Sequence, residues 1–160
     1  MSWSRFIGIW LLLPIGGCGF HLQGVVTTPA VMERTYIAAD DRYSLFYREL
    51  RRELDAIGVR VVDSPVDATA TLSIMVDDTN QRVLSVSARN VPTEYEVYYT
   101  VQYALSGQQG NLLEPQIVTL TRDYTYDETL VLGKAREETL MREAIVDDLV
   151  RIVLKRISSL

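Results

Sequence analysis

The run EYEVYYTVQYAL, Glu94 to Leu105, alternates strictly over twelve residues. Tyr95, Val97, Tyr99, Val101, Tyr103 and Leu105 fall on one side. Glu94, Glu96, Tyr98, Thr100, Gln102 and Ala104 fall on the other. Successive side chains of a strand point to opposite faces, so this pattern predicts a strand with one buried and one wetted face. The rest of the chain must therefore cover one face of a sheet and leave the other polar.

Two segments have the spacing to provide that cover. In DDRYSLFYRELRRELDAIG, 40–58, Phe46, Leu50, Leu54 and Ile57 share one helical face. Asp40 or Asp41 can cap its start and Gly58 ends it. Arg48, Arg51, Arg52 and Asp55 occupy the other side, with Arg51 and Asp55 spaced as an i,i+4 pair. The last segment, Lys134 to Ile157, has a stripe of Met141, Ile145, Leu149, Ile152 and Val153, with Ala144 and Ile157 beside it. RTYIAA, 34–39, predicts a short strand. VRVV and DSPVD form an extended piece and a turn. TATLSIMVDD and QRVLSVSA alternate in the strand manner, and the DDTN between them is either a hairpin turn or a bulge in one bent strand. RNVPT and SGQQGN are turns, and QIVTLTRDYTY is a further strand. The order is β-α-β-β-β-α. Both stripes can cover one face of a mostly antiparallel sheet, giving a two-layer α+β domain over 34–160.

Before this domain stands MSWSRFIGIWLLLPIGGCGFHLQG. Its apolar run, Phe6 to Ile15, is ten residues long, against the roughly 20 a spanning helix needs. Arg5 precedes it and Gly16 and Gly17 follow, the order of a secretory signal peptide. Ile15-Gly16-Gly17-Cys18 matches a bacterial lipobox. Residues 1–17 are therefore expected to be a lipoprotein signal peptide, and Cys18 the mature N-terminus carrying an S-diacylglycerol and an N-acyl chain such as palmitate. One acyl chain anchors only marginally, whereas two or more hold stably. Residues 18–33, with Gly19, Gly24 and TTP, then form a lipidated tether. Gly19 stands where lipoproteins kept in the inner membrane often carry Asp, which favours the periplasmic side of the outer membrane. Cys18 and His21 are the only Cys and His, too few for a zinc site of three or four ligands or for a nucleophile–base pair. No metal, no cofactor beyond the covalent lipid and no catalytic residue are expected.

After removal of Arg5, 15 basic residues face 21 acidic ones, and this excess argues against nucleic acid as a partner. The mature 143 residues suit a single domain.

CGFHLQG after the lipobox resembles the start of the mature LptE lipoproteins of lipopolysaccharide assembly. GVRVV, RVLSVSARN, EYEVYYTVQYAL, RDYTYDETLVLGK and EETLMREAIVDDLVRIVLKRI follow in that family's order. Gln23 departs from it, since many members have Arg there. The resemblance implies two helices on one face of a four-stranded sheet, with DDTN a bulge in one long strand. It also implies a partner, the outer-membrane β-barrel LptD, which the lipoprotein plugs and helps to assemble, and a ligand, lipopolysaccharide, bound on its way to the outer leaflet.

On that footing, residues are expected to serve as follows. The wall of a wide barrel's lumen is polar. The polar strand face with Glu94, Glu96, Thr100 and Gln102, the turn of Asn90, Val91, Pro92 and Thr93, and the segment 127–132 are the expected barrel contacts. Lipid A phosphates call for charged donors at short range. Arg89, Lys134 and Arg136 are the expected lipopolysaccharide contacts, at one end of the sheet. The alternative is a periplasm-facing scaffold for another envelope complex without lipopolysaccharide binding. An enzyme is the poorest reading: Asp77 and Asp78 are adjacent on a strand and so point to opposite faces.

Overall fold

The structure, a computed structural model, describes residues 28–125 and 131–160, of which 131–135 by backbone alone. Cys18, His21, the signal peptide and most of the expected tether lie outside the described residues, as does most of the segment 127–132. The order is β1 (Arg34–Ala38), α1 (Leu45–Ala56), β2 (Arg60–Val62), β3 (Ala70–Val86), β4 (Pro92–Gly107), β5 (Gly110–Thr125) and α2 (Val131–Ile157). The architecture is α+β, as the periodicities require. The sheet has five strands rather than four, in the order β2-β1-β3-β4-β5. The added strand is the VRVV piece. Three residues carry no legible alternation; Arg60–Val62 become a strand because α1 returns them parallel to Arg34–Tyr36. β1 also runs parallel to β3, while β3, β4 and β5 form two long antiparallel hairpins.

The twelve-residue alternation is the centre of the molecule. Val97, Tyr99, Val101, Tyr103 and Leu105 are all buried, and they meet Leu72 and Ile74 of β3, Leu113 of β5 and both helices in one core. Helix α1 contributes Phe46, Tyr47, Leu50 and Leu54. Helix α2 contributes Ile145, Leu149, Val153 and Ile157, as its stripe predicts. It also buries a second row, Val146, Val150 and Leu154, two of which line the groove against α1 beside Ile57. Ile152, expected in the stripe, is exposed instead. The helix wedges between sheet and α1, and its buried arc turns away from that position. The folded part begins before Arg34: Ala30–Glu33 form a 3-10 turn and Met32 is fully buried.

Helix α1 starts later than its acidic residues suggest. Its cap is Ser44, whose Oγ accepts from Tyr47 N at 3.0 Å; neither Asp40 nor Asp41 caps it. The Asp41 carboxylate closes the preceding turn, accepting from Tyr43 N at 2.7 Å. Ser44 Oγ is itself tied, donating to Asp77 Oδ2 at 2.5 Å. Tyr99 Oη donates to Asp77 Oδ1 at 2.6 Å and accepts from Phe46 N at 3.4 Å. One carboxylate thus joins β3, β4 and the positive end of α1. The expected Arg51–Asp55 pair gives way to Arg51–Asp63 at 3.3 Å, across the α1–β2 connection.

Asp77–Asn80 is neither a turn nor a bulge. These residues pair regularly with Val101–Tyr98, and the shift in register lies just before them, between Ile74 and Val76. Met75 is the extra residue. An inserted residue exchanges the faces of all that follows. Ala70, Leu72 and Ile74 face the helices before it, and Asp77, Thr79 and Gln81 do so after it, whereas Val76, which unbroken alternation would put with Ile74, joins the opposite face.

Burial pushes the Tyr99 phenol well above its ordinary value, and the bond to Asp77 adds to the shift. Tyr99→Phe removes the donor but keeps the ring. A loss of about 1–2 kcal/mol is expected for a buried partner left short of a bond, read as a lower denaturant midpoint at unchanged m-value. An unaltered midpoint would show that Ser44 alone satisfies Asp77.

Candidate functional site

Both helices lie on one side of the sheet, so the other side of the hairpins is uncovered. Strand pairing assigns its rows. Arg82, Glu96 and Asp123 stand abreast; then Asn80, Tyr98 and Thr121; then Asp78, Thr100 and Thr119; then Val76, Gln102 and Ile117. Thr100 and Thr119 share a hydroxyl–hydroxyl hydrogen bond of 2.9 Å. The face is hydroxyl-rich in its middle, with the Asp78 carboxylate among the hydroxyls. Apolar Val76 and Ile117 flank Gln102, Ile117 being 66% exposed. Asp77 faces the helices and Asp78 this open side, so no carboxylate pair forms there.

The expected contact residues fall into two groups. Glu94, Thr100 and Gln102 stand on the open face as the alternation requires. Glu96 does so too, yet it is nearly buried, its carboxylate 2.6 Å from the Arg82 guanidinium. Arg82 is the member of this pair that meets solvent, its side chain being 65% exposed. The sequence reading missed Arg82 because the phase of β3 beyond Met75 is invisible without pairing. It missed Thr119 and Thr121 as well, although the alternation of QIVTLTRDYTY carries that signal.

The turn between β3 and β4 is held by its backbone. Ser87 N donates to Val91 O at 2.7 Å, and Asn90 N donates to Ser87 O at 2.9 Å. Asn90 has φ of 59°, a left-handed conformation that asparagine tolerates better than most residues. Ser85 and Thr93 hydroxyls bridge the strands below at 2.8 Å. Glu94 pairs with Thr125, so this turn and the end of β5 lie at one end of the sheet, called here the distal end. Helix α2 leaves from there, since its Asp148 reaches Arg122 at 2.7 Å, farther down β5. Arg89 is exposed on the turn and Arg136 is exposed on the front of α2. The side chain of Lys134 lies outside the described residues.

A groove of about 460 Å³ runs between the helices, lined by Leu45, Arg48, Glu49, Arg52, Glu143, Val146 and Asp147. Glu49 bonds Arg52 within it. Burial raises the Glu49 carboxyl above its ordinary value; Asp147 and Glu53 add to this, and Arg52 opposes it. Among the described residues no three Asp, Glu, His or Cys converge as metal ligands, and no helix is long and apolar enough to cross a membrane.

Two helices over one face of the sheet and a free, largely polar face over the other define a two-layer α+β protein, with the β3–β4 turn and the end of β5 together at its distal end. A family model described as LptE, lipopolysaccharide-assembly, matches residues 32–157. The chain belongs to this family, whose role is assembly rather than catalysis. It is similar to the LPS-assembly lipoprotein LptE of Yersinia enterocolitica, at 26% identity over 91% of this chain and 70% of that one. It is similar to the protein of the same name from Pectobacterium atrosepticum, at 28% identity over 92% and 82%. Among solved structures it resembles lipoprotein B of Nitrosomonas europaea, with a TM-score of 0.73 and 28% identity over 88% of this chain and 91% of that one.

The groove makes a prediction about pH. The Glu49 carboxyl is raised from 4.5 in the fold, so the fold binds this proton more tightly than the unfolded chain does. Its contribution to stability is present below that value and is lost as pH rises through the folded one. Glu49→Gln should therefore flatten the fall in stability above about pH 4.5. Parallel urea titrations of both proteins at pH 4 and pH 7 check this. A variant whose pH dependence matches the parent's would remove Glu49 from the account.

Proposed function

We propose that this chain is an outer-membrane lipoprotein of lipopolysaccharide assembly that docks its free sheet face inside the LptD β-barrel, plugging the barrel and aiding its assembly. The observation that carries the reading is the helix-free, hydroxyl-rich face of β3–β5. A lumen wall is polar; Thr100, Gln102, Thr119 and Thr121 can exchange hydrogen bonds with it, and Asp78, Glu94 and Asp123 on the same face call for charged or hydrogen-bonding donors on that wall. Glu96 is already neutralised by Arg82. The names of the relatives, LPS-assembly lipoprotein, support the same role. Cys18, triacylated, anchors the chain on the periplasmic side.

Lipopolysaccharide is the ligand in this reading, met at the distal end. Its phosphates are anions that guanidinium and ammonium groups hold by charge-assisted bonds. Arg89, Lys134 and Arg136 are the groups assigned to them. Support comes from the common position of the β3–β4 turn and the end of β5, and from the exposure of Arg89 and Arg136.

Three experiments test these statements. Mass spectrometry of the detergent-extracted protein should show a triacyl mass on Cys18, and photocrosslinkers at Thr100, Gln102 and Thr119 should trap a large outer-membrane barrel. Crosslinks confined to other envelope proteins would favour the scaffold role. For the ligand, the pair Arg89→Glu with Lys134→Glu should fold and copurify with the barrel, yet retain less lipopolysaccharide in a pull-down. An exposed charge contact is worth about 0–1 kcal/mol, so the double variant is the informative one. Undiminished retention by a folded double variant would remove the distal site and leave the barrel partner standing.

A further inference from the structure

Helix α2 is built in two unlike halves. From Ile145 onward it buries Ile145, Val146, Leu149, Val150, Val153, Leu154 and Ile157. From Arg136 to Ala144 it buries none; Met141, Glu138, Arg142 and Ala144 are only half-covered and the others are exposed. The surface beneath the front half explains this. Beyond the Met75 bulge the helix-facing residues of β3 are Asp77, Thr79, Gln81 and Val83, and Val83 remains 47% exposed. The opposing strands supply Tyr95 and Tyr124, stacked at 5.5 Å with an interplanar angle of 15°, and Tyr124 Oη donates to Gln81 Oε1 at 3.0 Å. Burial raises the Tyr124 phenol, and nearby Glu138 and Glu137 add to the shift while Arg142 opposes it. These charges thus lie near enough to the Tyr124 phenol to act on it. Arg142 bonds Glu138 at 2.7 Å, but its buried Nε finds no hydrogen-bond acceptor among the described residues.

Apolar burial is what holds a helix to a sheet, and the front half has almost none. A buried donor left without a partner weakens the docked state further. We propose that Arg136–Ala144 is a lid that leaves the sheet as one cooperative unit while Ile145–Ile157 stays in the core. Its opening uncovers the Tyr95–Tyr124 pair and Gln81, a flat aromatic platform with a polar floor at the same end of the sheet as the β3–β4 turn. Two roles are thereby separated within α2: the rear keeps the fold, and the front changes what the distal end presents. The inference is independent of whether Arg89 and Lys134 hold a phosphate.

Amide hydrogen exchange on the full chain in detergent, resolved by residue, tests it. Low-stability units exchange through local opening without global unfolding. The amides of 138–144 should exchange about a hundredfold faster than those of 149–154, at one common rate, with a step at Ile145–Val146. Equal protection along the helix would overturn the proposal, because α2 would then open only as a whole. A smooth gradient from the front end would also overturn it, because that is ordinary fraying. The double variant Glu138→Leu with Arg142→Met replaces the ion pair by apolar contact with the tyrosines. It should slow exchange of the front half about tenfold and leave the rear unchanged. A front half no slower than the parent's would show that the polar seam is not the cause of opening.

Discussion

Everything in this fold is arranged around the burial of one face of β4. Val97, Tyr99, Val101, Tyr103 and Leu105 are taken out of water together, and each large apolar side chain so buried contributes about 1.5–3 kcal/mol. No single neighbour covers such a row. It takes α1 and α2 side by side above it, and the inner residues of β3 and β5 as walls. Because two helices fill one side, the other side of the hairpins is left bare, and that is the surface a partner can read.

The second organising feature is the bulge at Met75. Before it, β3 is an ordinary inner strand with Leu72 and Ile74 in the core. After it, the same face carries Asp77, Thr79 and Gln81. Asp77 is accommodated because two elements supply its partners, Ser44 at the positive end of α1 and Tyr99 of β4. The molecule is therefore apolar and tightly held at its proximal end, and polar, aromatic and looser at its distal end. The expected lipopolysaccharide contacts and the lid both lie distally, where burial contributes least to holding the structure in one state.

Much of this was legible beforehand, for a physical reason. The face of Glu94–Leu105, the helical stripe of Phe46, Leu50 and Leu54, and the stripe of Ile145, Leu149 and Val153 are periodic over many residues, and each period has one geometric meaning. The family motifs are equally local, and their order along the chain led to the LptE family. Where the reading departed from the structure, a long-range partner made the decision. Arg60–Val62 is a strand because β1 lies beside it. Ser44 caps α1 because Asp77, 33 residues away in sequence, holds its hydroxyl. Arg51 turns from Asp55 to Asp63, and Ile152 leaves the core because α1 occupies the other flank of α2.

Alternation, helical spacing and motif order are properties of neighbouring residues, so the class of fold, the one buried face of β4, the two covering helices and the family are already written in the chain. Which residues meet across the sheet is settled only when the strands pair. A single inserted residue, Met75, reverses the faces of β3 from Val76 to Val83, and nothing in DDTN announces the change. The pairing of Arg82 with Glu96, the Asp77 junction and the polar seam beneath Arg142 all follow from that one shift in register. Register is set by two strands together, and no one strand records it.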